Sequence, residues 1–238
     1  VELKQTKKLY LVNTPETVIE VKTYEGSVST YKNVHFTMKE TDYSLDGVIK
    51  YEVKIHNSNR ATHPNGQWDL GDDNSLLFKS LTLNVKGKLQ SWKVFDIDNA
   101  TRVAENSELP ITIVQHSSGG ENWNSSNHVD ANCEVPFTIK GYELIDGKSK
   151  QNGSRISPLL HAKSNNSTIS AYLENFWQNF PSSLQVGGDG IEIGLYPEVN
   201  YLHELLPGEQ KQQTVLLLTS GFEQGAESEL KLQQWQAK

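Results

Sequence analysis

Short runs of β-branched and aromatic residues, each ended by a Gly, Asn, Asp or Pro turn, follow one another from Leu9 to Thr219. A chain written this way has little choice but to build sheets. The clearest run is VIKYEVKIHN at Val48–Asn57, where Val48, Lys50, Glu52, Lys54 and His56 alternate with Ile49, Tyr51, Val53 and Ile55. A period of two predicts a strand with one face on a core and the other mostly wet. Strands are also expected at 9–12, 17–24, 34–39, 111–116, 135–144, 184–186, 190–195 and 214–219. Leu76–Val85 and Gln90–Ile97 read as an antiparallel pair across the turn Lys86-Gly87-Lys88. Thr168–Phe176 fits strand or helix; strand running into a corner at Asn179-Phe180-Pro181 is the preferred reading. Pro207-Gly208 reads as a type II turn before the last strand.

Roughly a dozen or more such strands with little helix predict an all-β chain, a large antiparallel β-sandwich over residues 1–222. Residues 223–238, EQGAESELKLQQWQAK, are rich in helix formers and predict a short helical tail. No strand–Gly-loop–helix unit occurs, so neither a dinucleotide fold nor a P-loop is supported. No GxSxG, HExxH, CxxC or EF-hand pattern occurs either.

Composition narrows the partners. The chain has 238 residues, 22 Lys+Arg against 29 Asp+Glu and a formal net charge of −7. That balance, with three arginines, argues against a nucleic-acid backbone partner. A single cysteine, Cys133, excludes an internal disulfide framework. No run is apolar enough to predict a membrane span. The chain opens on the polar VELKQTKK without a signal peptide, as a mature protein or an excised domain would. Polar Asn- and Gly-rich loops between aromatic-bearing strands suit sugar handling, and suit an ordinary β protein equally.

Four constellations carry chemistry. The loop after the clean strand holds Arg60, His63, Trp68, Asp69 and Asp72: an anion and sugar site, or a structured loop whose aspartates cap backbone amides. The segment 116–128 places His116, Glu121, Asn122, Trp123, Asn124 and His128 at a strand end. Such loops are where β scaffolds keep function, and an imidazole titrates near neutrality. Its length also argues for a functional or tightly packed connection, with both histidines facing the same side as the Arg60–Trp68 loop. The third, around Tyr172, Phe176, Trp177 and Phe180, reads first as core. The fourth, at His203 and Glu204, offers exposed polar candidates beside a turn, though a purely structural turn into the last strand is the preferred reading. The histidine spacing matches no metal motif, Asp69, Asp72 and Asp73 lack the EF-hand order, and neither a metal nor a cofactor is expected.

Five phrases in order, HPNGQWDLGD at 63–72, HSSGGENWNSSNH at 116–128, FWQNFP at 176–181, IGLYP at 193–197 and HELLPGEQKQ at 203–212, resemble those of the exo-rhamnogalacturonan lyase-like (YetA-like) proteins. The resemblance spans roughly residues 45 to 219. It implies a secreted or periplasmic polysaccharide-processing parent built from an N-terminal β domain, a central supersandwich of the galactose mutarotase kind and a C-terminal α/α toroid. This chain looks like the central piece, with the flanking domains of the same polypeptide as partners and the tail as a junction. The implied reaction is β-elimination on an acidic, pectin-type oligosaccharide or polysaccharide. A non-catalytic carbohydrate-binding sandwich and a sugar epimerase-like use of the fold remain alternatives. No catalytic position transfers by matching, so side-chain chemistry alone nominates His128, His116, Arg60 and His63 for proton transfer and charge neutralisation. The same reasoning nominates Trp68, Trp123, Asn122, Asn124, Glu121 and Tyr172 for substrate binding.

Overall fold

In a computed structural model the described residues are 2–14, 18–28, 31–43, 47–62, 70–99, 101–106, 110–130, 132–147, 149–165 and 167–221. The expected helical tail at 223–238 lies outside them, as do His63, Trp68 and Asp69. Seventeen strands are described: β1 Glu2–Asn13, β2 Val18–Val28, β3 Tyr31–Tyr43, β4 Val48–Asn57, β5 Leu76–Phe78, β6 Leu81–Lys86, β7 Ser91–Asp96, β8 Thr101–Asn106, β9 Ile111–Gln115, β10 Tyr142–Ile145, β11 Lys150–Gly153, β12 Pro158–Lys163, β13 Ser167–Leu173, β14 Ser182–Gly187, β15 Gly190–Tyr196, β16 His203–Leu205 and β17 Gln210–Gly221. The only helix among the described residues is one 3-10 turn, Ser126–His128. The all-β antiparallel reading of the sequence holds.

Two compact units divide the chain. The first comprises residues 1–80, 125–136 and 199–215. Within it β1, β2, β3 and β4 form an antiparallel meander, and β5 pairs with β16. The alternation of β4 is real, but its two faces are less distinct than expected. Ile55 is buried, while Ile49, Tyr51 and Val53 are only half-buried. Charge, rather than apolar area, decorates this meander: Lys8–Glu20, Lys22–Glu20, Lys22–Glu40 and Lys39–Glu52 pair within 2.8–3.0 Å. These pairs are half-exposed, and solvent-screened pairs of this kind contribute little each and set register more than stability.

The described residues of the second unit, within 81–124, 137–198 and 216–221, form the sandwich. One sheet carries β13, β12, β7 and β8 in that order; the other runs β11-β10-β9-β14-β15-β6. Trp92, Val94, Leu160 and Leu173 from the first and Ile113, Leu144, Leu184 and Ile193 from the second are each at most 1% exposed. Burial of such side chains is the main stabilising term of the unit, at roughly 1.5–3 kcal/mol each before entropy is set against it. β17 follows the Pro207-Gly208 turn, where Gly208 at φ +75° gives the left-handed residue that a type II turn requires. Leu216, Leu217 and Leu218 are all buried, so β17 is covered on both faces there.

Three expectations need correction. The segments 76–85 and 90–97 are not a hairpin. β6 pairs with β15, whereas β7 pairs with β8 and β12. The chain changes sheets because the turn bonds elsewhere: Gly87 N donates to Asp189 O, Leu89 N to Gly188 O and Gln90 N to Lys163 O. The strand expected at 135–144 is confined to Tyr142–Ile145, since Gly141 sits at φ +76° and breaks the extended run. His203 is not an exposed candidate. It is buried, its ring stacked at 5.2 Å on Phe78 and edge-on at 5.8 Å to Tyr201.

Candidate functional site

Directly opposed residues on antiparallel strands share a face. On the six-stranded sheet, Ile113 opposes Leu144 and Leu184, and Leu184 opposes Ile193; these line the core. The opposite face carries Glu143, Val114 and Ser183 in one row and Lys150, Ile145, Thr112, Gln185, Glu192 and Asn84 in the next. It is a mostly polar surface, broken by Val114 and Ile145. Towards β6 it runs into a groove of about 420 Å³ lined by Asn84, Lys86, Gln185, Asp189 and Glu192 among others.

His116 continues β9 on this polar face. Its backbone N donates to Gly141 O at 2.8 Å, and its Nε2 lies 3.3 Å from Glu143 Oε2. The contact has the distance of an ion pair but not the alignment of a hydrogen bond. Glu143 Oε1 meets Lys150 Nζ at 2.5 Å, which compensates a carboxylate that is only 8% exposed. Burial pushes the His116 imidazole below its ordinary value; Glu143 pulls the other way, and Lys150 adds to the fall. The ring is therefore mostly neutral near pH 7 and can accept a proton beside a carboxylate that stabilises the charged form.

The backbone around His116 is fixed by close approach. Gly119 sits at φ +66° with its missing Cβ position 1.7 Å from Ser154 O. Gln115, fully buried, donates from Nε2 to Ser117 O at 2.7 Å and Ser154 O at 3.0 Å. Ser117 Oγ accepts from Gly141 N at 2.9 Å. These bonds bring Arg155 to the loop. Its Nε donates to Ser118 O at 2.9 Å, and its guanidinium carbon stands 4.2 Å from the centroid of the Trp177 ring.

Of the residues nominated from the sequence, His116, Glu121, Asn122, Trp123, Asn124 and Tyr172 fall in the second unit. Glu121, Asn122 and Asn124 are exposed on a turn and Trp123 is half-buried. Tyr172 is 8% exposed and opposes Leu159 across the β12–β13 pair, in the sheet that also carries β7 and β8. Arg60 and His128 belong to the first unit. His128 ends the 3-10 turn and is half-buried; Arg60 is exposed. Around Arg60 the capping description fits: Asp72 Oδ2 accepts from Thr62 N and Oγ1, Asp72 Oδ1 accepts from Asn74 N, and Asn74 Nδ2 donates to Arg60 O. No group of three His, Cys, Asp or Glu suited to a metal occurs among the described residues.

Sequence reasoning did not single out Glu143, Lys150 or Arg155. A charged residue between Tyr142 and Leu144 was the available signal for Glu143; Arg155 had none beyond being one of three arginines. The aromatic cluster divides: Phe176 is fully buried, Phe180 meets Phe137 edge-on at 5.3 Å, and Trp177 stays half-exposed under Arg155.

No protein-family model matches the chain, and no curated protein matches it. Among solved structures it is similar to a TPR-domain-containing protein from Parabacteroides distasonis, with 13% identity, TM-score 0.38 and coverage of 89% of this chain and 34% of that one. It is similar to the α-galactosidase from Lactobacillus brevis, at 10% identity and TM-score 0.45, over 92% of this chain and 27% of that one. Galactose 1-epimerase from Lactobacillus acidophilus is similar at 10% identity and TM-score 0.32, over 90% and 66%. The chain thus spans about a third or less of the first two. At these identities the likeness assigns no activity. Among the described residues no helix is long and apolar enough to cross a membrane.

Proposed function

We propose that this chain is a carbohydrate-handling β-sandwich whose working surface is the polar face of the six-stranded sheet, with His116 and Glu143 as its proton-moving pair. The observation that supports this reading is the 3.3 Å approach of a depressed imidazole to a buried carboxylate at a strand end. An epimerase-like use of the fold needs a base on one sugar oxygen or carbon and an acid on another. A neutral His116 takes the proton of the anomeric hydroxyl, Glu143, itself paired with Lys150, stabilises the imidazolium, and water delivers a proton to the ring oxygen as the ring opens. The polar rows beside them offer hydroxyl and amide partners for sugar hydroxyls.

Polarimetry and exchange NMR on a panel of free aldoses test it. Wild-type chain should speed anomeric exchange, with a rate that falls in acid as His116 charges. His116→Gln and Glu143→Gln should each abolish the acceleration while retaining the circular dichroism of the fold. Unchanged exchange in both variants would remove the pair from the mechanism.

A narrower reading, β-elimination on a rhamnogalacturonan-type glycan, is supported by the five sequence phrases. It requires a carboxylated sugar at the same face. Absorbance of unsaturated uronate products is its direct readout, and its absence in a longer parent polypeptide would retire it.

A further inference from the structure

We infer that Arg155 is a preformed carboxylate subsite for an acidic sugar at the edge of this face. The inference deepens the carbohydrate reading and rests on it. An ordinary surface arginine is a mobile side chain that either waves in water or pairs with a neighbouring acid. Arg155 does neither. Trp177 holds one face of its guanidinium at 4.2 Å, and Ser118 O takes the Nε proton at 2.9 Å. Both contacts fix the plane of the fork while leaving the residue exposed. Much of the rotamer entropy a ligand would otherwise have to remove is already gone.

The two terminal nitrogens make no ion pair with a carboxylate among the described residues. In a chain with 29 acidic and 22 basic side chains that is an unusual omission. Space beside them is kept open by a missing side chain: a Cβ on Gly120 would lie 3.0 Å from Nη2. Nε is occupied, so the remaining donors are Nη1 and Nη2, whose parallel N–H bonds match the two oxygens of one carboxylate. A single guanidinium carries one charge, which suits a uronate better than a phosphate dianion. The half-exposed Trp177 ring adds an apolar edge of the kind sugar rings cover.

Calorimetry of the whole chain with trigalacturonate, with its fully methyl-esterified form and with inorganic phosphate decides the matter. Wild type should prefer the acid over the ester by about tenfold or more. Arg155→Lys keeps the charge but loses the fork and should erase the preference, as should Arg155→Gln. Gly120→Ala should weaken acid binding by displacing Nη2, while ester binding stays unchanged in every variant. An acid preference surviving Arg155→Lys, or phosphate competing as well as the uronate, would overturn the carboxylate subsite. Ester and acid bound equally by wild type would overturn it too, and would leave the sugar reading standing. Binding of neither sugar would defeat both.

Discussion

Gly119→Ala should cost this protein about 3 kcal/mol or more, the sum of a left-handed backbone forced on an L side chain and a collision that nothing flexible can relieve. Gly119 sits at φ +66°, and the added Cβ would lie 1.7 Å from a backbone oxygen, that of Ser154. The neighbour is not the end of a mobile side chain, so two segments of backbone must part. Those segments hold Gln115, Ser118 and Arg155 in their bonds. Two other glycines separate the contributions. Gly147 has φ +72° but nothing within 4 Å of its Cβ position, so Gly147→Ala carries the conformational cost alone, about 1–2 kcal/mol. Gly187 has neither a positive φ nor a close neighbour, so Gly187→Ala should fall within about 0.5 kcal/mol of wild type. Urea unfolding should rank the three Gly119 > Gly147 > Gly187. The Gly119 variant should also melt lower by roughly 6–12 °C. Equal costs at Gly119 and Gly147 would mean that the loop gives way without resistance.

That series marks where the sequence stops being readable. The alternation in VIKYEVKIHN, the turn at Pro207-Gly208 and the corner at Asn179-Phe180-Pro181 are local signals, and β4, β17 and β13 with its following turn answer to them. Pairing is not local. β6 finds β15, more than a hundred positions away, because the hydrogen-bonding of Gly87 and Leu89 is satisfied at Gly188 and Asp189 rather than across their own turn. Nothing in the residues from Lys86 to Lys88 announces that choice. The candidate site divides likewise. His116 stands out in any reading, since it is an imidazole at the end of an apolar strand. Its partners Glu143 and Lys150 arrive from β10 and β11 through register alone. The Arg155–Trp177 contact joins two segments with no shared pattern. A side chain's charge is legible in a sequence; the neighbour that gives the charge a use is a property of the sheet.

His161 should make the fold acid-sensitive, and this is the larger of the two imidazole effects. It lies on β12 at 3% exposure, its Nδ1 is 2.6 Å from Ser170 Oγ, and Phe95 meets it edge-on at 5.5 Å. Burial lowers its pKa from 6.5 to about 4, with Lys93 and Lys163 adding to the fall. The unfolded chain therefore binds a proton that the folded chain refuses between those two values. A depressed folded pKa stabilises above the unfolded value and that stability is lost as pH falls, here between about 6.5 and 4. At 1.36 kcal/mol per unit, moving from pH 7.5 to 4.5 should remove about 2.5 kcal/mol through this residue. His161→Gln should unfold in urea with a shallower dependence on pH, whatever its cost at neutrality, because every other titrating group is common to both proteins. The His116 imidazole, also depressed, acts in the same direction in both. Parallel stability curves for wild type and His161→Gln from pH 7.5 to 4.5 would show that the buried ring takes up its proton without cost. NMR gives an independent reading: the His161 ring should keep its neutral-form shifts until the pH approaches about 4, well after an exposed histidine has charged.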